Sequence, residues 1–178
     1  MKVLFQTSVN PLRQKTQEIV KQALQSLGIE VELKSIDASI FFSSDPANTD
    51  TTEHFYADLQ MFTTGNTSPD PGAYMKTYTC GEIPQKANRW SGENVSRYCN
   101  PVYDSLWQKS TQELAPEKRR QLFIQMNDLL VNEVAVIPLI HRTETVGVSN
   151  SLAGLNLTPW DMHTWNIMDW KRNIISNK

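Results

Sequence analysis

The sequence predicts an α/β (α+β) fold in which a mixed β-sheet has helices packed on one face. The first observation is a strand–helix–strand unit within the first 33 residues, since such units usually give neighbouring parallel strands. The second is a pair of later helical segments followed by strand-like sequence. This mixture favours layers of sheet and helix around one core, and 178 residues suffice for a single domain.

The helix of the first unit has clear boundaries. Residues 2–8 and 29–33 are strand-like, and between them Asn10 and Pro11 form a common N-cap and first-residue pair. Gly28 predicts the helix end because glycine adopts positive φ at little cost. Residues at helical spacing predict one buried stripe. They are Leu12, Thr16, Ile19, Ala23, Leu24 and Leu27.

Similar signals recur along the rest of the chain. Asn100 and Pro101 repeat the first helix start, and Pro116 opens a further helix. The predicted buried side of that helix consists of Leu122, Met126, Leu129 and Leu130. Further predicted strands span residues 58–64, 134–141 and 143–149. Pro138 favours a sheet edge or a bulge for the second of these, because proline has no backbone donor.

Charge and hydropathy exclude several classes of protein. A net charge of −2 and a pI near 5.9 give no electrostatic basis for binding nucleic acid or an anionic membrane. No apolar run is long enough to span a bilayer. The first ten residues are too short for a signal peptide and begin directly as a strand, which suggests a piece of a longer protein.

The two cysteines, Cys80 and Cys99, lie in polar, turn-like sequence. A metal site is weakly supported, because there is no CxxC and His54, His141 and His163 are scattered singly. The missing CxxC also argues against thioredoxin-like chemistry. Two buried thiols remain an alternative, but a disulfide is favoured, and closing such a loop contributes roughly 3 kcal/mol. A structural disulfide implies an oxidising compartment.

No catalytic signature is present, and the better functional candidate is a loop. Residues 63–74, TTGNTSPDPGAY, follow a predicted strand directly and are rich in hydroxyls, amides and exposed backbone, although a plain solvated turn has the same composition. For His141, a packed or rim histidine is favoured over a general base, since no nucleophile is identifiable beside it. The candidate ligand-binding residues are Thr63, Thr64, Gly65, Asn66, Thr67, Trp90 and His141.

Several segments, in order, resemble the C-terminal lobe of the family 5 extracellular solute-binding proteins. These are the dipeptide-, oligopeptide- and nickel-binding proteins of ABC importers. The segments include DLQMFTTGNTSPDPGAY, NVSRYCNPVYDSL and APEKRRQLFIQMNDLLVNEVAVIPLIH, and the resemblance runs from about Val3 to Leu155. Positions that match a family pattern are Asn94, Tyr98, Cys99, Asn100, Pro101, Asp104 and Leu106. Relatives of the dipeptide binder often pair cysteines at the positions of Cys80 and Cys99.

The resemblance implies the second lobe of a two-lobed periplasmic-binding-protein fold. Residues 1–149 would form a C-terminal ligand-binding lobe, and residues 150–178 a tail that returns to the N-terminal lobe. The implied partners are a small-molecule or peptide ligand, the protein's own N-terminal lobe and an ABC permease, with no nucleic acid. The implied location is the periplasm or the extracellular face of the plasma membrane. The leading hypothesis is therefore a non-enzymatic ligand-binding lobe, with no cofactor and no metal site expected.

One loop departs from the peptide-binding members. Their loop commonly reads Gly-Trp-x-x-Asp, and the Asp holds the α-ammonium of the peptide. Aligned on Asp70–Pro71, the Trp falls on Thr64 and the Asp on Thr67. A neutral threonine lacks the carboxylate that pairs with an ammonium group, which favours neutral or polar ligands. Glu93 is the acid that could supply that carboxylate instead. The alternatives are a secreted hydrolase with carboxylates and His141 in an unrecognised site, and a module that binds peptides along a strand edge near Pro138.

Overall fold

Three parallel strands form the sheet of the N-terminal half. In the computed structural model, which describes residues 1–65, 68–143, 145–159 and 161–172, they are β1 (Lys2–Ser8), β2 (Glu30–Ile36) and β3 (Leu59–Met61). The order is β2-β1-β3, so β1 is central. Phe5 pairs with Leu33 on one side and Leu59 on the other.

Helix α1 (Pro11–Ser26) connects β1 to β2 and packs against both strands. Its predicted boundaries are confirmed. The Asn10 side chain accepts hydrogen bonds from the amides of Leu12 and Arg13 at 3.1 and 3.2 Å, and Gly28 has φ +78° just after the helix. The buried side of α1 is centred on Gln17, whose Nε2 donates to the carbonyl of Phe5 at 2.9 Å.

The predicted buried stripe of α1 is wrong for four of its members, one of which is the exposed Ala23. Leu12, Ile19 and Leu27 are 64%, 58% and 75% exposed. Apolar residues occur on two adjacent faces of this helix, and the sheet covers the face of Gln17 rather than the face of Ile19. Periodicity reports the apolar stripe but not which edge of it meets the strands.

A short helix and a buried segment follow β2. Helix α2 (Ala38–Phe41) is capped by Asp37, and Phe41 is fully buried. The carbonyl of Phe41 accepts a hydrogen bond from the amide of Thr52 at 2.9 Å. Thr52 lies in residues 51–54, where Thr51 and His54 are also buried. This segment therefore packs against the sheet half before the chain enters β3.

The C-terminal half is built around helices α3 (Gly72–Lys76), α4 (Pro101–Gln112) and α5 (Pro116–Asn132), with 3₁₀ turns at Cys80–Glu82 and Lys86–Asn88. The predicted starts of α4 and α5 are confirmed. Their core consists of Met75, Tyr78, Tyr103, Leu106, Phe123, Met126 and Leu130. The hydroxyl of Tyr103 donates to the carbonyl of Met75 at 2.7 Å, which joins α4 to α3.

The two strands predicted over residues 134–141 and 143–149 are not formed in the part of these segments that the structure describes, which leaves out Glu144. Ile137, Leu139 and Ile140 are exposed. A strand needs a neighbouring strand to accept its ladder hydrogen bonds, and β-rich sequence alone does not supply one. Beyond this segment β4 (Leu152–Ala153) pairs antiparallel with β5 (Lys171–Arg172).

The predicted α/β class is confirmed. Within the described residues, parallel and antiparallel pairing occur in two separate sheets rather than in one mixed sheet. None of the helices in these ranges is long and apolar enough to cross a membrane.

Candidate functional site

The sheet order creates a switch point at the carboxyl ends of β1 and β3. From β1 the chain crosses to β2 on one side, whereas β3 lies on the other side of β1. The segments that follow β1 and β3 therefore lead in different directions. In open α/β sheets, ligands bind in the crevice outside the strand ends at such a point. The loop predicted from sequence starts at this end of the sheet, directly after β3.

Arg13 links the ends of the two strands. It lies in the first turn of α1, and its Nη1 donates to the hydroxyl of Ser8 at 2.5 Å. Nη2 donates a longer hydrogen bond, 3.4 Å, to the hydroxyl of Thr63. The guanidinium carbon lies 5.6 Å from the ring centroid of Phe42. Ser8 is fully buried at the end of β1, so this hydrogen bond anchors the guanidinium group to the sheet.

Thr63, Thr64 and Gly65 are exposed at this edge. Thr7 fixes the end of β3, because its hydroxyl donates to the carbonyl of Met61 at 2.6 Å. Asn66 and Thr67, which were also predicted to bind ligand, lie outside the described residues. The start of the predicted ligand loop thus presents hydroxyls and backbone to solvent, as its sequence suggested.

Asp70 and Arg119 hold the far end of the same loop. Nη2 of Arg119 donates to Oδ1 of Asp70 at 3.0 Å, and Nη1 donates to Oδ2. Arg119 Nε also donates to the carbonyl of Ser110 at 2.9 Å, and its guanidinium lies over the Phe123 ring. The hydrogen bonds from Arg119 and from the Gly72 amide hold the pKa of Asp70 below its ordinary value. The pair therefore ties the loop to α4 and α5.

The predicted disulfide between Cys80 and Cys99 is confirmed. The sulfur atoms are 2.16 Å apart and the Cα atoms 4.6 Å apart. The amide of Cys80 donates to Oδ1 of Asp104 at 3.0 Å, next to the start of α4. Inside the closed loop, Asn94 is fully buried and donates to the carbonyl of Tyr98 at 2.7 Å. The loop is therefore a folded unit with its own polar core.

Trp90 lies on this disulfide loop and contacts the segment before β3. Its ring centroid is 4.0 Å from that of His54, which is buried and hydrogen-bonded through Nδ1 to the Thr51 hydroxyl at 2.9 Å. Arg97 strengthens this junction by donating to the carbonyls of His54 and Phe55 at 2.6 and 3.0 Å. The junction joins the helical half of the protein to the sheet half.

The predicted site residues are thus only partly brought together. Thr63, Thr64 and Gly65 share the sheet edge. Trp90 packs on His54, and His141 lies in an exposed segment that is neither helix nor strand. Within the described residues, no hydrogen bond or ring contact links Trp90 or His141 to the other three. Their roles in ligand binding remain predictions.

Sequence reasoning missed Arg13. One local signal was present: the first turn of α1 contains a cation and no acidic residue. The positive end of a helix dipole disfavours a cation, so an arginine at this position suggests a role outside helix stability. Its partner Thr63 is 50 positions away in sequence, and only the fold brings the two together.

Comparison with known proteins finds both sequence relatives and solved structures of similar fold. No protein-family model matches the chain. A dipeptide-binding protein of Pseudomonas aeruginosa is 24% identical over 161 residues, which cover 90% of this chain and 28% of that protein. NikZ from Campylobacter jejuni in complex with Ni(L-His) matches with a TM-score of 0.69 at 16% identity, over 96% of this chain and 33% of NikZ.

The chain has part of the fold of a two-lobed periplasmic binding protein. DppA from Helicobacter pylori, an ABC transporter-associated periplasmic binding protein in complex with the peptide STSA, also matches, with a TM-score of 0.56 at 15% identity over 75% of this chain and 24% of DppA. The resemblance to the family 5 binding proteins is confirmed, and these relatives are binding proteins. The chain spans about 28% of the length of the curated relative that it matches.

Proposed function

We propose that this chain is part of the ligand-binding lobe of an extracytoplasmic solute-binding protein that delivers a small solute to an ABC permease. The observation that carries the proposal is the sheet edge, where exposed Thr63, Thr64 and Gly65 meet the Arg13 guanidinium at a switch point. The fold match and the similarity to dipeptide-binding proteins support the same function.

The exposure of this edge explains how such a lobe would work. Hydroxyl and guanidinium groups that face water exchange one set of hydrogen bonds for another when they bind a solute, and the net gain is small. A second lobe that closes over the crevice excludes water, which strengthens each hydrogen bond. The N-terminal lobe is therefore a proposed partner of this chain, and the permease would receive the solute from the closed form.

Residues 150–178 are proposed to contact that partner, as the tail beyond the lobe formed by residues 1–149. Met162, Ile167 and Met168 in the tail are 80%, 58% and 79% exposed. The described part of the tail has local order, since the indole of Trp165 donates to the carbonyl of Asn156 and that of Trp170 to Oδ1 of Asn166. A folded segment with large exposed apolar side chains is suited to packing against a further surface.

The disulfide supports a periplasmic or extracellular location. Structural disulfides persist in oxidising compartments and are rare in the cytosol. The Cys80–Cys99 bond lies beside the start of α4 and closes a loop with a buried polar core, as expected of a structural bond. The compartment is the one in which ABC importers collect their solutes.

The proposed ligand is a peptide-like or other small polar solute. Thr67 stands where peptide-binding members carry an Asp, so a free α-ammonium would lack its usual partner. Glu93, the alternative acid, is exposed and accepts a hydrogen bond from the Thr77 hydroxyl at 3.2 Å. A charge-assisted hydrogen bond contributes about 1.5–3 kcal/mol, whereas a neutral one contributes about 1 kcal/mol. The difference is the binding free energy that a peptide with a free N-terminus is expected to lose.

Calorimetry on the full-length protein that carries this chain tests the proposal. The solutes are dipeptides with free N-termini, their N-acetylated forms and small sugars. We expect at least one solute to bind, N-acetylated or neutral solutes to exceed free dipeptides, and the Thr67→Asp variant to reverse that preference. If no solute binds to the wild type, the proposed function is wrong. If free dipeptides bind wild type most tightly, only the assignment of Thr67 is wrong.

A further inference from the structure

Arg97, on the disulfide loop, holds the backbone of the segment that leads into β3. Its Nη1 donates to the carbonyl of Phe55 at 3.0 Å, and its Nη2 donates to the carbonyls of His54 and Glu53 at 2.6 and 3.3 Å. These acceptors lie 42 to 44 positions away in sequence. Hydrogen bonds from a charged donor are stronger than neutral ones. One side chain therefore fixes three consecutive carbonyls.

The backbone at this contact adopts a conformation that is uncommon for residues other than glycine. In the described part of the chain, five non-glycine residues have positive φ, and four of them lie at this junction. They are Phe55 at 30°, Arg89 at 57°, Trp90 at 61° and Arg97 at 55°. Such conformations cost free energy, persist only where surrounding contacts fix them, and cluster at functional sites. The hydrogen bonds of Arg97 supply this fixation, which points to a function for the path of the turn at Phe55.

The turn at Phe55 determines where β3 lies. Three residues beyond it, the amide of Asp58 donates to the carbonyl of Leu4 at 3.0 Å, next to the pairing of β3 with β1. Before the turn, the carbonyl of Thr52 accepts a hydrogen bond from Nε2 of Gln60, in the middle of β3, at 3.1 Å. Because β3 has only three residues, these flanking contacts contribute a large share of what holds it in place.

We infer that Arg97 is a positioning residue for the solute site: it fixes the turn at Phe55 and, through β3, sets the position of the exposed edge at residues 63–65. The inference rests on the proposed function and assigns to it a residue outside the site. β3 ends at Met61, so a shift of β3 moves the start of the predicted ligand loop with it. A solute held by hydroxyls and backbone depends on their spacing, because hydrogen bonds weaken steeply when their geometry is distorted.

Site-resolved hydrogen exchange on the full-length protein that carries this chain measures the positioning directly. Arg97→Gln should accelerate exchange of the β3 amides about 10-fold, the equivalent of one hydrogen bond to a charged group, and leave α5 unchanged. Arg97→Lys should have a smaller effect, because lysine keeps the charge without the planar fork. Arg120→Gln is the matched control, since Arg120 is an exposed arginine paired with Glu117 on its own helix, and it should leave β3 unchanged.

Calorimetry with Ala-Ala, N-acetyl-Ala-Ala and glucose shows whether this position matters for binding. Each solute that binds wild type should bind Arg97→Gln about 10-fold more weakly, and Arg97→Lys should lie between the two. Leu130→Val is a second control, because it shortens a side chain of the helical core without touching the junction. We expect it to bind as wild type does. If it loses as much affinity as Arg97→Gln, the effect is one of general stability and the inference is wrong.

The outcomes separate this inference from the proposed function. Unchanged exchange of β3 in Arg97→Gln, or faster exchange with unchanged affinity, overturns the role of Arg97 and leaves the solute-binding function intact. Thermal unfolding shows whether each variant folds. If Arg97→Gln does not fold, Arg97→Lys decides: a change in both exchange and affinity supports the inference, and any other result contradicts it. If no solute binds wild type, the proposed function is wrong and the inference is wrong with it.

Discussion

The sheet half and the helical half of this protein are stabilised in different ways. The helical half has a cluster of seven buried apolar residues contributed by α3, α4, α5 and the turn after α3. The sheet half buries many polar side chains, among them Gln6, Thr7, Ser8 and Gln17, while Leu12 and Ile19 stay exposed. Apolar burial therefore stabilises the helical half. In the sheet half, the buried polar groups need specific partners, so they fix a precise geometry rather than contribute a large hydrophobic gain.

The largest effect should come from the helical core. Met126 is fully buried in the cluster, so Met126→Ala should lower the free energy of unfolding by about 2–5 kcal/mol through lost burial and a residual cavity. Ile19→Ala on α1 is the matched control and should change it by less than about 0.5 kcal/mol, since Ile19 is 58% exposed. Urea unfolding of this chain measures both. Similar values for the two would mean that the halves are not stabilised differently.

The disulfide should have the next largest effect. Replacing Cys80 and Cys99 together with Ser should cost about 3 kcal/mol, because the unfolded chain regains the entropy of the open loop. Urea unfolding with and without a reducing agent measures this. Wild type should be weakened by reduction and the double variant should not respond. A double variant as stable as the oxidised wild type would show that the loop is held by its other contacts, such as those of Asn94.

A smaller effect is expected from the polar interior of the sheet half. Gln17→Leu keeps the volume but removes hydrogen bonds to the carbonyls of Phe5 and Lys34, so it should cost about 1 kcal/mol. Gln17→Ala should cost more because it also leaves space beneath α1. Chemical denaturation distinguishes the two. If the Leu variant is more stable than wild type, the sheet half behaves as an ordinary apolar core.

The smallest effect concerns the ion pair that ties the predicted ligand loop, residues 63–74, to the helical half. The pKa of Asp70 is lowered by hydrogen bonds from Arg119 and from the Gly72 amide. A lowered folded-state pKa stabilises the protein above the ordinary value of 3.8, and this stabilisation is lost as pH falls through the folded-state pKa. Asp70 is half exposed, so solvent screening limits the effect to about 0.5–1 kcal/mol.

Asp70→Asn should therefore be slightly less stable than wild type at pH 7, and the two should converge only as the pH falls through the folded-state pKa of Asp70, which lies below 3.8. Unfolding curves at several pH values give the difference. Asp45→Asn serves as a control, because Asp45 caps an exposed turn and has no ion-pair partner in the described residues. A constant difference between wild type and Asp70→Asn at every pH would assign the effect to packing rather than to charge.

Local chemistry made part of the fold predictable. The helix starts at Asn10–Pro11 and Asn100–Pro101, the helix end at Gly28 and the disulfide all depend on residues close together in sequence. The position of the loop at residues 63–74 was predictable for the same reason, since it follows β3 directly, whereas its role in ligand binding stays a prediction.

The remaining features depend on distant partners. The exposed side of α1 is decided by which face the sheet covers, and the predicted strands after Val134 have no described neighbour to pair with. The contact of Arg13 with Thr63 spans 50 positions, so no local pattern contains it. The contact between the rings of Trp90 and His54 likewise joins two loops that are distant in sequence, so neither loop's own sequence predicts it.

The placement of β1 between β2 and β3 has a consequence for the order of folding. α4 and α5 are neighbours in sequence and form their contacts with little loop closure, whereas side chains on β1 and β3 meet across 54 positions. Contacts between nearby residues form quickly, and distant strand pairing must first overcome the entropy of closing a long loop. We therefore expect the helical half to assemble early and the sheet edge beside Arg13 to be completed last, so a newly made chain would pair β1 with β3 only at the final step.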